Sequence, residues 1–288
     1  MQKPEWLKVK LNLKEFEKVS TLLNRLNLNV VCYHAACPNI GECFSKHTAT
    51  FLILGNICTR NCAFCSIKKG KTLPPDPKEP KNVAQAVKEL KIKHAVITSV
   101  TRDDLSDFGA SQFVKTIQEI RHIQPLTTIE VLIPDFKGSL KALESIVVEK
   151  PEIINHNLET IPRLYPGIRS QANYRTSLNI LKLIKKLNSN IFTKSGIMIG
   201  LGETEKEIIS LMKDLRKVNC DILTIGQYLQ PSKEQIDVFK YIEPDTFQKL
   251  EAIGKSMGFL YVNSGPFVRS SFNAEEFSNQ FIHKISYS

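Results

Sequence analysis

Six of the seven cysteines lie within residues 32–65, in two groups of three. The groups are Cys32, Cys37 and Cys43, spaced C-x4-C-x5-C, and Cys58, Cys62 and Cys65, spaced C-x3-C-x2-C. Thiolates are soft ligands that favour zinc or iron–sulfur clusters. Because a structural zinc site takes four protein ligands, two groups of three indicate two centres, each with one coordination position left for another ligand.

Two other interpretations of the cysteines stay open. A disulfide framework requires an oxidising compartment, whereas the N-terminus MQKPEWLKVK is charged and lacks the apolar core of a secretion signal. A structural zinc module that shares the six thiolates is the other. We expect reduced cysteines in a cytoplasmic protein. Cys220, in the apolar segment VNCDILTI, is expected to be a buried packing residue.

Bulk composition narrows the class of protein. The chain has 288 residues, 42% of them hydrophobic and 24% charged, which is ordinary for a globular protein. No apolar run approaches the roughly 18 residues of a membrane span, so we expect no membrane association. The net charge is +10, from 39 basic and 29 acidic residues. This charge permits an acidic protein partner, but a solvated lysine-rich surface explains it as well. Because the basic residues are not interleaved with aromatic residues, we expect no nucleic acid.

Apolar runs and helical periodicity alternate along the chain. The predicted strands are 51–56, 94–100, 129–134, 152–159, 196–200 and 221–229. The predicted helices are 82–92, 111–123, 140–148, 174–187 and 205–218. Parallel strands need crossover connections, so the pattern predicts an α/β fold, a partial (β/α)6 TIM-like barrel open on one side. A flat, doubly wound sheet is the alternative.

The same pattern predicts three regions. Residues 51–240 form the barrel, residues 1–50 an N-terminal extension that carries the first cysteine group, and residues 241–288 a C-terminal extension. The segment 70–80 contains several prolines and is predicted to be a loop. The carboxyl ends of the predicted strands all run into polar residues, and Lys194 is assigned to one such end. Because ligands of parallel α/β folds bind there, we expect one polar cavity.

The second cysteine group follows a predicted strand, and Phe64 precedes its last cysteine. A C-x3-C-x-Φ-C loop after a first strand, where Φ is an aromatic residue, resembles the signature of the radical S-adenosylmethionine (SAM) enzymes. The wider sequence resembles the lipoyl synthases within that superfamily. The matching stretches are CYHAACPNIGEC at 32–43, GNICTRNCAFC at 55–65, TSVTRDDLSDFGA at 98–110, IEVLIPDFKG, NHNLETIPRLYP, TKSGIMIGLGET at 193–204 and GPFVRSSFNAEE at 265–276.

The resemblance implies two [4Fe–4S] clusters and SAM as cofactors. Cys58, Cys62 and Cys65 would hold the cluster that binds SAM. Cys32, Cys37 and Cys43 would hold an auxiliary cluster, with Ser270 of the R-S-S stretch as its fourth ligand. The family inserts sulfur from the auxiliary cluster at C6 and C8 of an octanoyl chain. The chain is carried on a lysine of a lipoyl-carrier domain, either a 2-oxoacid dehydrogenase E2 or the glycine-cleavage H protein. An electron donor of the ferredoxin or flavodoxin type is implied as a second partner.

The resemblance also implies residues that bind SAM. Thr98 or Ser99 would contact its methionine amino group. Asn157 and Glu159, which point the same way on a strand by period-two alternation, would bind the ribose hydroxyls. Arg175 would pair with the methionine carboxylate. The stretch G-x-M-x-G-x-x-E, with Gly200 and Glu203, resembles the adenine-binding motif, in which small residues let the ring approach the backbone.

Three positions depart from the family pattern. Phe108 stands where glycine is expected, and Gln235 and Asn273 stand where histidine is usual. A divergent radical SAM enzyme that inserts sulfur into another substrate, like a biotin synthase or a methylthiotransferase, is therefore the alternative function. The first cysteine group and the R-S-S stretch argue against both of those examples.

Overall fold

The structure is a computed structural model that describes residues 4–7, 13–34, 37, 39–45 and 49–282, with the backbone alone for 13–16 and 45. Its strands are β1 Asn29–Val30, β2 Thr50–Ile53, β3 Ile57–Cys58, β4 Lys68–Lys69, β5 His94–Ser99, β6 Thr128–Leu132, β7 Ile153–Asn155, β8 Phe192–Ile199, β9 Ile222–Gln227 and β10 Tyr261–Gly265. Its helices are α1 Leu13–Arg25, α2 Val31–His34, α3 Ile40–Ser45, α4 Glu79–Glu89, α5 Ala110–Ile123, α6 Leu140–Val148, α7 Tyr165–Ile168, α8 Tyr174–Leu187, α9 Glu205–Lys217, α10 Pro244–Ser256 and α11 Ala274–Phe277.

The chain divides into two compact units. The first unit contains the described residues within 9–60, 67–153 and 271–288, and the second unit those within 1–8, 61–66 and 154–270. Among the described residues, none of the helices combines the length and the apolar composition needed to cross a membrane.

The first unit is a short sheet with helices packed against it. β1 runs antiparallel to β2, β2 runs parallel to β5, and β5 runs parallel to β6. Ile53, Ile97 and Val131, one from each parallel strand, are fully buried, as expected for strands of a parallel sheet. α4 packs on α5 and α5 on α6. The parallel pairing of β5 with β6 places their carboxyl ends side by side, so the residues that follow these ends can meet.

The second unit repeats the parallel arrangement. β8 pairs with β9 and β9 with β10, all parallel. Local sequence fixes the starts of its helices. Asn173 accepts hydrogen bonds from the first turn of α8. At the start of α9, Thr204 and Glu207 form a capping box, in which each side chain binds the other residue's backbone N–H.

The predicted parallel α/β organisation is confirmed, with local differences. Each predicted strand and helix overlaps an observed one. β10 adds a further parallel strand within the segment predicted to be a C-terminal extension. α4 begins at Glu79, because Pro80 occupies the first turn, where its missing N–H has no partner to lose. Lys194 was assigned to a strand's carboxyl end, and this was wrong: it lies in the first half of β8 and is buried.

Candidate active site

The second cysteine group lies on a strand end and the loop that follows it. Cys58 ends β3, which pairs with β4, and the backbone N–H of Gly70 donates to the Cys58 carbonyl over 3.4 Å. In the second unit, Cys65 N donates to Cys62 O over 3.1 Å. Ala63 between them donates to Ile168 O over 2.9 Å. All three cysteines are half-buried and lie outside disulfides, so each carries a thiol that can become a thiolate ligand.

Arg60, within this loop, forms hydrogen bonds and ion pairs with the carboxylates of Asp103 and Asp135. Arg60 donates from Nε and Nη2 to the two oxygens of Asp103 over 2.7 and 3.0 Å. It donates from Nη1 and Nη2 to the two oxygens of Asp135 over 2.7 and 2.6 Å. Burial lowers the pKa of Arg60, but the hydrogen bonds and charges of Asp135 and Asp103 outweigh it and raise that pKa. The guanidinium is therefore a permanent cation in a buried site.

The same loop is tied to the segment after β5. Thr59 donates from both its backbone N–H and its hydroxyl to Thr101 O, over 3.1 and 3.0 Å. Its hydroxyl also accepts from the Asp103 N–H over 3.1 Å. The Arg60 N–H in turn donates to the Cys58 sulfur over 3.4 Å. The direction of the Cys58 sulfur is therefore set by contacts that begin at neighbouring strand ends.

The first cysteine group lies on two short helices and their junction. Cys32 is in α2, Cys43 is in α3, and Cys37 lies between them. Burial raises the pKa of the Cys32 thiol to about 12; a backbone hydrogen bond from Thr50 lowers it, and the nearby Cys37 and Cys43 thiols raise it further. The Cys37 and Cys43 thiols therefore lie close enough to Cys32, within the first unit, to affect its ionisation. Cys220, by contrast, is fully buried among backbone carbonyls, as its apolar segment predicts.

The predicted SAM contacts on β5 differ from each other. The Thr98 hydroxyl donates to Leu132 O over 2.8 Å and so holds β5 to β6. The Ser99 hydroxyl oxygen is buried without a hydrogen-bond partner among the described residues. Because a buried hydroxyl without a partner is costly, Ser99 is the better placed of the two to receive a polar ligand.

Asn157, Glu159 and Ser270 meet in the second unit. Asn157 Nδ2 donates to Glu159 Oε1 over 3.0 Å and to Ser270 Oγ over 2.7 Å. Asn157 Oδ1 is buried and has no hydrogen-bond partner among the residues that the structure describes. Gly196 makes room for them, since a Cβ there would lie 2.8 Å from both Asn157 Oδ1 and Ser270 Oγ. Strand alternation does not bring Asn157 and Glu159 together: β7 ends at Asn155.

Glu159 has an unusual backbone and environment. Its φ is 65°, in the left-handed region that residues other than glycine rarely adopt. Its N–H donates to Gly196 O over 2.9 Å, and its own carbonyl accepts from Met198 N over 2.8 Å. Burial raises the pKa of the carboxyl, against the opposing effects of the Arg169 charge and the Asn157 hydrogen bond. Local strain of this kind is concentrated at functional sites.

The arginine that faces this group is Arg169. Its Nη1 donates to the carbonyls of Asn157 and Leu158 over 3.0 and 3.2 Å and to the Tyr165 hydroxyl over 3.2 Å. Arg175 is exposed in the first turn of α8, where its N–H binds the capping Asn173. Arg169 follows the polar end of the predicted strand 152–159, and this position could have marked it as a candidate ligand-binding residue. Spacing alone, however, does not distinguish two arginines six residues apart.

Gly200 and Glu203 form the turn that follows β8. The Glu203 carboxylate accepts from Gly200 N over 2.5 Å and from Leu201 N over 2.9 Å. Gly200 has φ 100°, and a Cβ there would lie 2.5 Å from Lys240 O. Burial raises the pKa of Glu203, and the backbone hydrogen bonds oppose that effect. Both residues therefore shape the backbone of this turn.

The donor set fits iron–sulfur chemistry. The two groups contain six thiols that lie outside disulfides. Within the part of the chain that the structure describes, the buried Ser99 hydroxyl and Asn157 Oδ1 have no hydrogen-bond partner. Among the described residues, no three His, Cys, Asp or Glu side chains are arranged to hold one metal ion. The thiolates of a [4Fe–4S] cluster bind different irons, so they need not converge on one point.

Comparison with known proteins identifies the family. The model of the radical SAM superfamily matches residues 52–215. The lipoyl synthase of Caldanaerobacter subterraneus subsp. tengcongensis is 53% identical over 275 residues, which is 96% of this chain and 96% of that protein. The lipoyl synthase of Flavobacterium psychrophilum is 50% identical and covers 95% of this chain and 94% of its own length.

Solved structures show the same fold at low sequence identity. A methylornithine synthase has a TM-score of 0.56 and 14% identity, covering 92% of this chain and 82% of its own. A maturase of the [FeFe]-hydrogenase has a TM-score of 0.59 and 13% identity, covering 87% of this chain and 62% of its own. Together with the family match, they confirm the predicted α/β class, the partial (β/α)6 TIM-like barrel. At half identity over nearly its whole length, this chain belongs to the lipoyl synthase family of radical SAM sulfurtransferases, enzymes that use SAM and a [4Fe–4S] cluster.

Proposed function

We propose that this enzyme inserts two sulfur atoms, at C6 and C8, into an octanoyl chain attached to a lysine of a lipoyl-carrier protein. The observation that carries the proposal is the 53% identity to a curated lipoyl synthase over 96% of the chain. The sequence also contains both cysteine groups and the R-S-S stretch in the order typical of that family.

The two cysteine groups have different tasks in this proposal. Cys58, Cys62 and Cys65 hold the cluster that binds SAM. Cys32, Cys37, Cys43 and Ser270 hold an auxiliary [4Fe–4S] cluster that is the sulfur source. A reduced cluster held by Cys58, Cys62 and Cys65 would supply one electron for the cleavage of SAM to methionine and a 5′-deoxyadenosyl radical, which can abstract hydrogen from the unactivated C–H bonds of the octanoyl chain. A serine oxygen is a harder ligand than a thiolate and binds iron less tightly. Ser270 is therefore the ligand that would dissociate most easily when the auxiliary cluster gives up its sulfur.

The chain's own residues orient SAM. Ser99 or Thr98 receives the methionine amino group, and Asn157 and Glu159 receive the ribose hydroxyls. We assign the methionine carboxylate to Arg169 instead of Arg175, because the Arg175 side chain is exposed at the start of α8 while Arg169 interacts with Glu159. Gly200 and Glu203 shape the turn beside which the adenine lies.

The partners follow from the substrate and the chemistry. The octanoyl chain arrives on a carrier domain, an E2 of a 2-oxoacid dehydrogenase or the glycine-cleavage H protein. The electron comes from a donor of the ferredoxin or flavodoxin type. The net charge of +10 suits an acidic partner. We infer a reducing compartment such as the cytoplasm, because cysteine ligands must stay reduced to bind a cluster.

An anaerobic assay tests the proposal. The reconstituted enzyme should contain about eight iron atoms per chain, the sum for two four-iron clusters. With SAM, a reductant and an octanoylated carrier domain, mass spectrometry should show the carrier gaining two sulfur atoms. The same enzyme given an octanoylated peptide of unrelated sequence serves as the control. An enzyme that cleaves SAM but never adds sulfur to the octanoyl chain would indicate a different substrate.

A further inference from the structure

A buried ion cluster adjoins a cysteine of the second group. Arg60, two residues after Cys58, makes four hydrogen bonds to Asp103 and Asp135, each carboxylate being bound by two guanidinium nitrogens. The side chains of Arg60 and Asp135 are 5% and 4% exposed, and that of Asp103 is 15% exposed. We name Arg60, Asp103 and Asp135 the arginine clamp.

Folding an arginine between two carboxylates demands strict geometry. A planar guanidinium offers its donors in a fixed fork, and two carboxylates that each take two of them leave it no rotational freedom. Asp135 is itself held, because it accepts from the Lys137 N–H over 3.0 Å. The backbone of Arg60 is therefore fixed by its own side chain, which is anchored beyond the ends of two neighbouring strands.

The backbone that the clamp fixes contacts a cluster ligand. The Arg60 N–H donates to the Cys58 sulfur over 3.4 Å. Hydrogen bonds to the sulfurs of an iron–sulfur cluster, and the net charge around it, set its reduction potential. The three residues of the clamp are two carboxylates and one guanidinium, so the clamp itself carries a formal charge of −1. The hydrogen bond that the clamp aligns and the negative charge that the clamp carries therefore shift the reduction potential in opposite directions.

We propose that Arg60 is a positioning residue that holds its own N–H against the Cys58 sulfur, and that the arginine clamp thereby tunes the reduction potential of the cluster that Cys58 helps to hold. The inference rests on the proposed function only in taking Cys58 as a ligand of the SAM cluster. A hydrogen bond from an N–H to the cluster sulfur stabilises the reduced, more negative cluster and raises its reduction potential. The net negative charge of the clamp lowers it.

Two substitutions separate these effects. Arg60→Lys keeps the positive charge but loses the fork, so the N–H no longer stays aligned with the sulfur and the potential should shift to more negative values. Asp135→Asn removes the net negative charge while Asp103 still holds Arg60, so the potential should shift to more positive values. Arg163→Lys is the matched control, since Arg163 pairs with Glu207 through two similar hydrogen bonds at an exposed site.

The measurement is a redox titration of the reconstituted holoenzyme, followed by the part of the electron paramagnetic resonance signal that responds to SAM. Iron content and circular dichroism confirm that each variant is folded and loaded. We expect shifts of opposite sign in the two clamp variants and none in Arg163→Lys. Wild-type potentials in both loaded clamp variants would overturn the proposal, and shifts of the same sign would overturn the role of the N–H bond.

A variant that fails to fold does not end the test. If Arg60→Lys does not fold, the Asp135→Asn variant tests the proposal by itself. An unchanged reduction potential in that variant would overturn the proposal. If the proposed function itself were wrong about Cys58, the wild-type enzyme would show no SAM-responsive signal at all. The two failures are therefore distinguishable in one set of spectra.

Discussion

The two cysteine groups are held in place by different kinds of interaction. In the first group, α2 and α3 are joined by the edge-to-face ring pair of Tyr33 and Phe44, with centroids 5.6 Å apart, and Phe44 is fully buried. In the second group, Thr59 and Arg60 fix the loop by hydrogen bonds and ion pairs to the segments after β5 and β6. Apolar packing depends on volume, whereas a polar network depends on geometry.

This difference suits the two proposed tasks. A cluster that must accept an electron in every turnover benefits from fixed donors and charges around its ligands. A cluster that is dismantled for its sulfur needs protein ligands that can release its iron and later bind a new cluster. Apolar packing of α2 against α3 helps to position the helices that carry Cys32 and Cys43, and the Thr50 backbone adds a hydrogen bond to the Cys32 thiol.

The largest expected effect comes from removing one cysteine of each group. Cys62→Ala should abolish reductive SAM cleavage, because the cluster that delivers the electron is lost. Cys37→Ala should retain SAM cleavage but add no sulfur to the carrier. Both cysteines are half-buried, so the pair is matched for exposure. The yield of 5′-deoxyadenosine, measured anaerobically, separates them.

Cys220→Ala is the control for these two variants. Cys220 lies outside both groups and is fully buried, so this enzyme should bind as much iron as the wild type. Equal yields of 5′-deoxyadenosine from Cys62→Ala and Cys37→Ala would show that SAM cleavage and sulfur donation are not assigned to separate cysteine groups.

The next effect concerns the predicted oxygen ligand. Ser270→Ala should block sulfur insertion while SAM cleavage continues, since only the auxiliary cluster loses a ligand. Ser270→Cys should keep that cluster but release sulfur poorly, because a thiolate binds iron more tightly. Ser271→Ala removes the neighbouring hydroxyl, which accepts from Thr50 over 2.7 Å, and should still add two sulfurs. Wild-type turnover by Ser270→Ala would remove Ser270 from the site.

The packing of the first group predicts a smaller, purely structural effect. Phe44→Ala should lower the free energy of unfolding by about 3–5 kcal/mol, the usual loss for a buried phenylalanine. Phe44→Leu, which fills most of the volume, should lower it far less. Denaturant unfolding of the apoprotein measures both. Equal losses in the two variants would show that volume does not decide the stability of this region.

The hydrogen bonds of the second group predict the smallest effect. Thr59→Val removes the hydroxyl that binds Thr101 and leaves the Asp103 N–H without its acceptor, which should destabilise the protein by about 1–2 kcal/mol. Thr59→Ser keeps the hydroxyl and is the control. The same denaturant series measures the change. A valine variant as stable as the serine variant would mean that Arg60 alone fixes the loop.

Much of the fold could be predicted because its signals are local. Periodicity over a few residues indicated β2, β5, β6, β7, β8 and β9 and most of the helices between them, but not the two-residue strands β3 and β4. The family pattern also marked Phe108 as a glycine position, and its φ of 56° agrees with that. Pro80 was misread because proline excludes the helix interior but not the first turn.

The sequence by itself determined the chemistry of this protein: two groups of three thiols at spacings that persist whatever the rest of the chain does. Only the tertiary structure decided which polar residues act together. Asn157 meets Ser270 across 113 positions, and Arg60 meets Asp135 across 75. Such contacts depend on which strand ends the sheet places side by side, and no local pattern encodes that pairing. For the same reason Arg169, and not Arg175, faces Glu159.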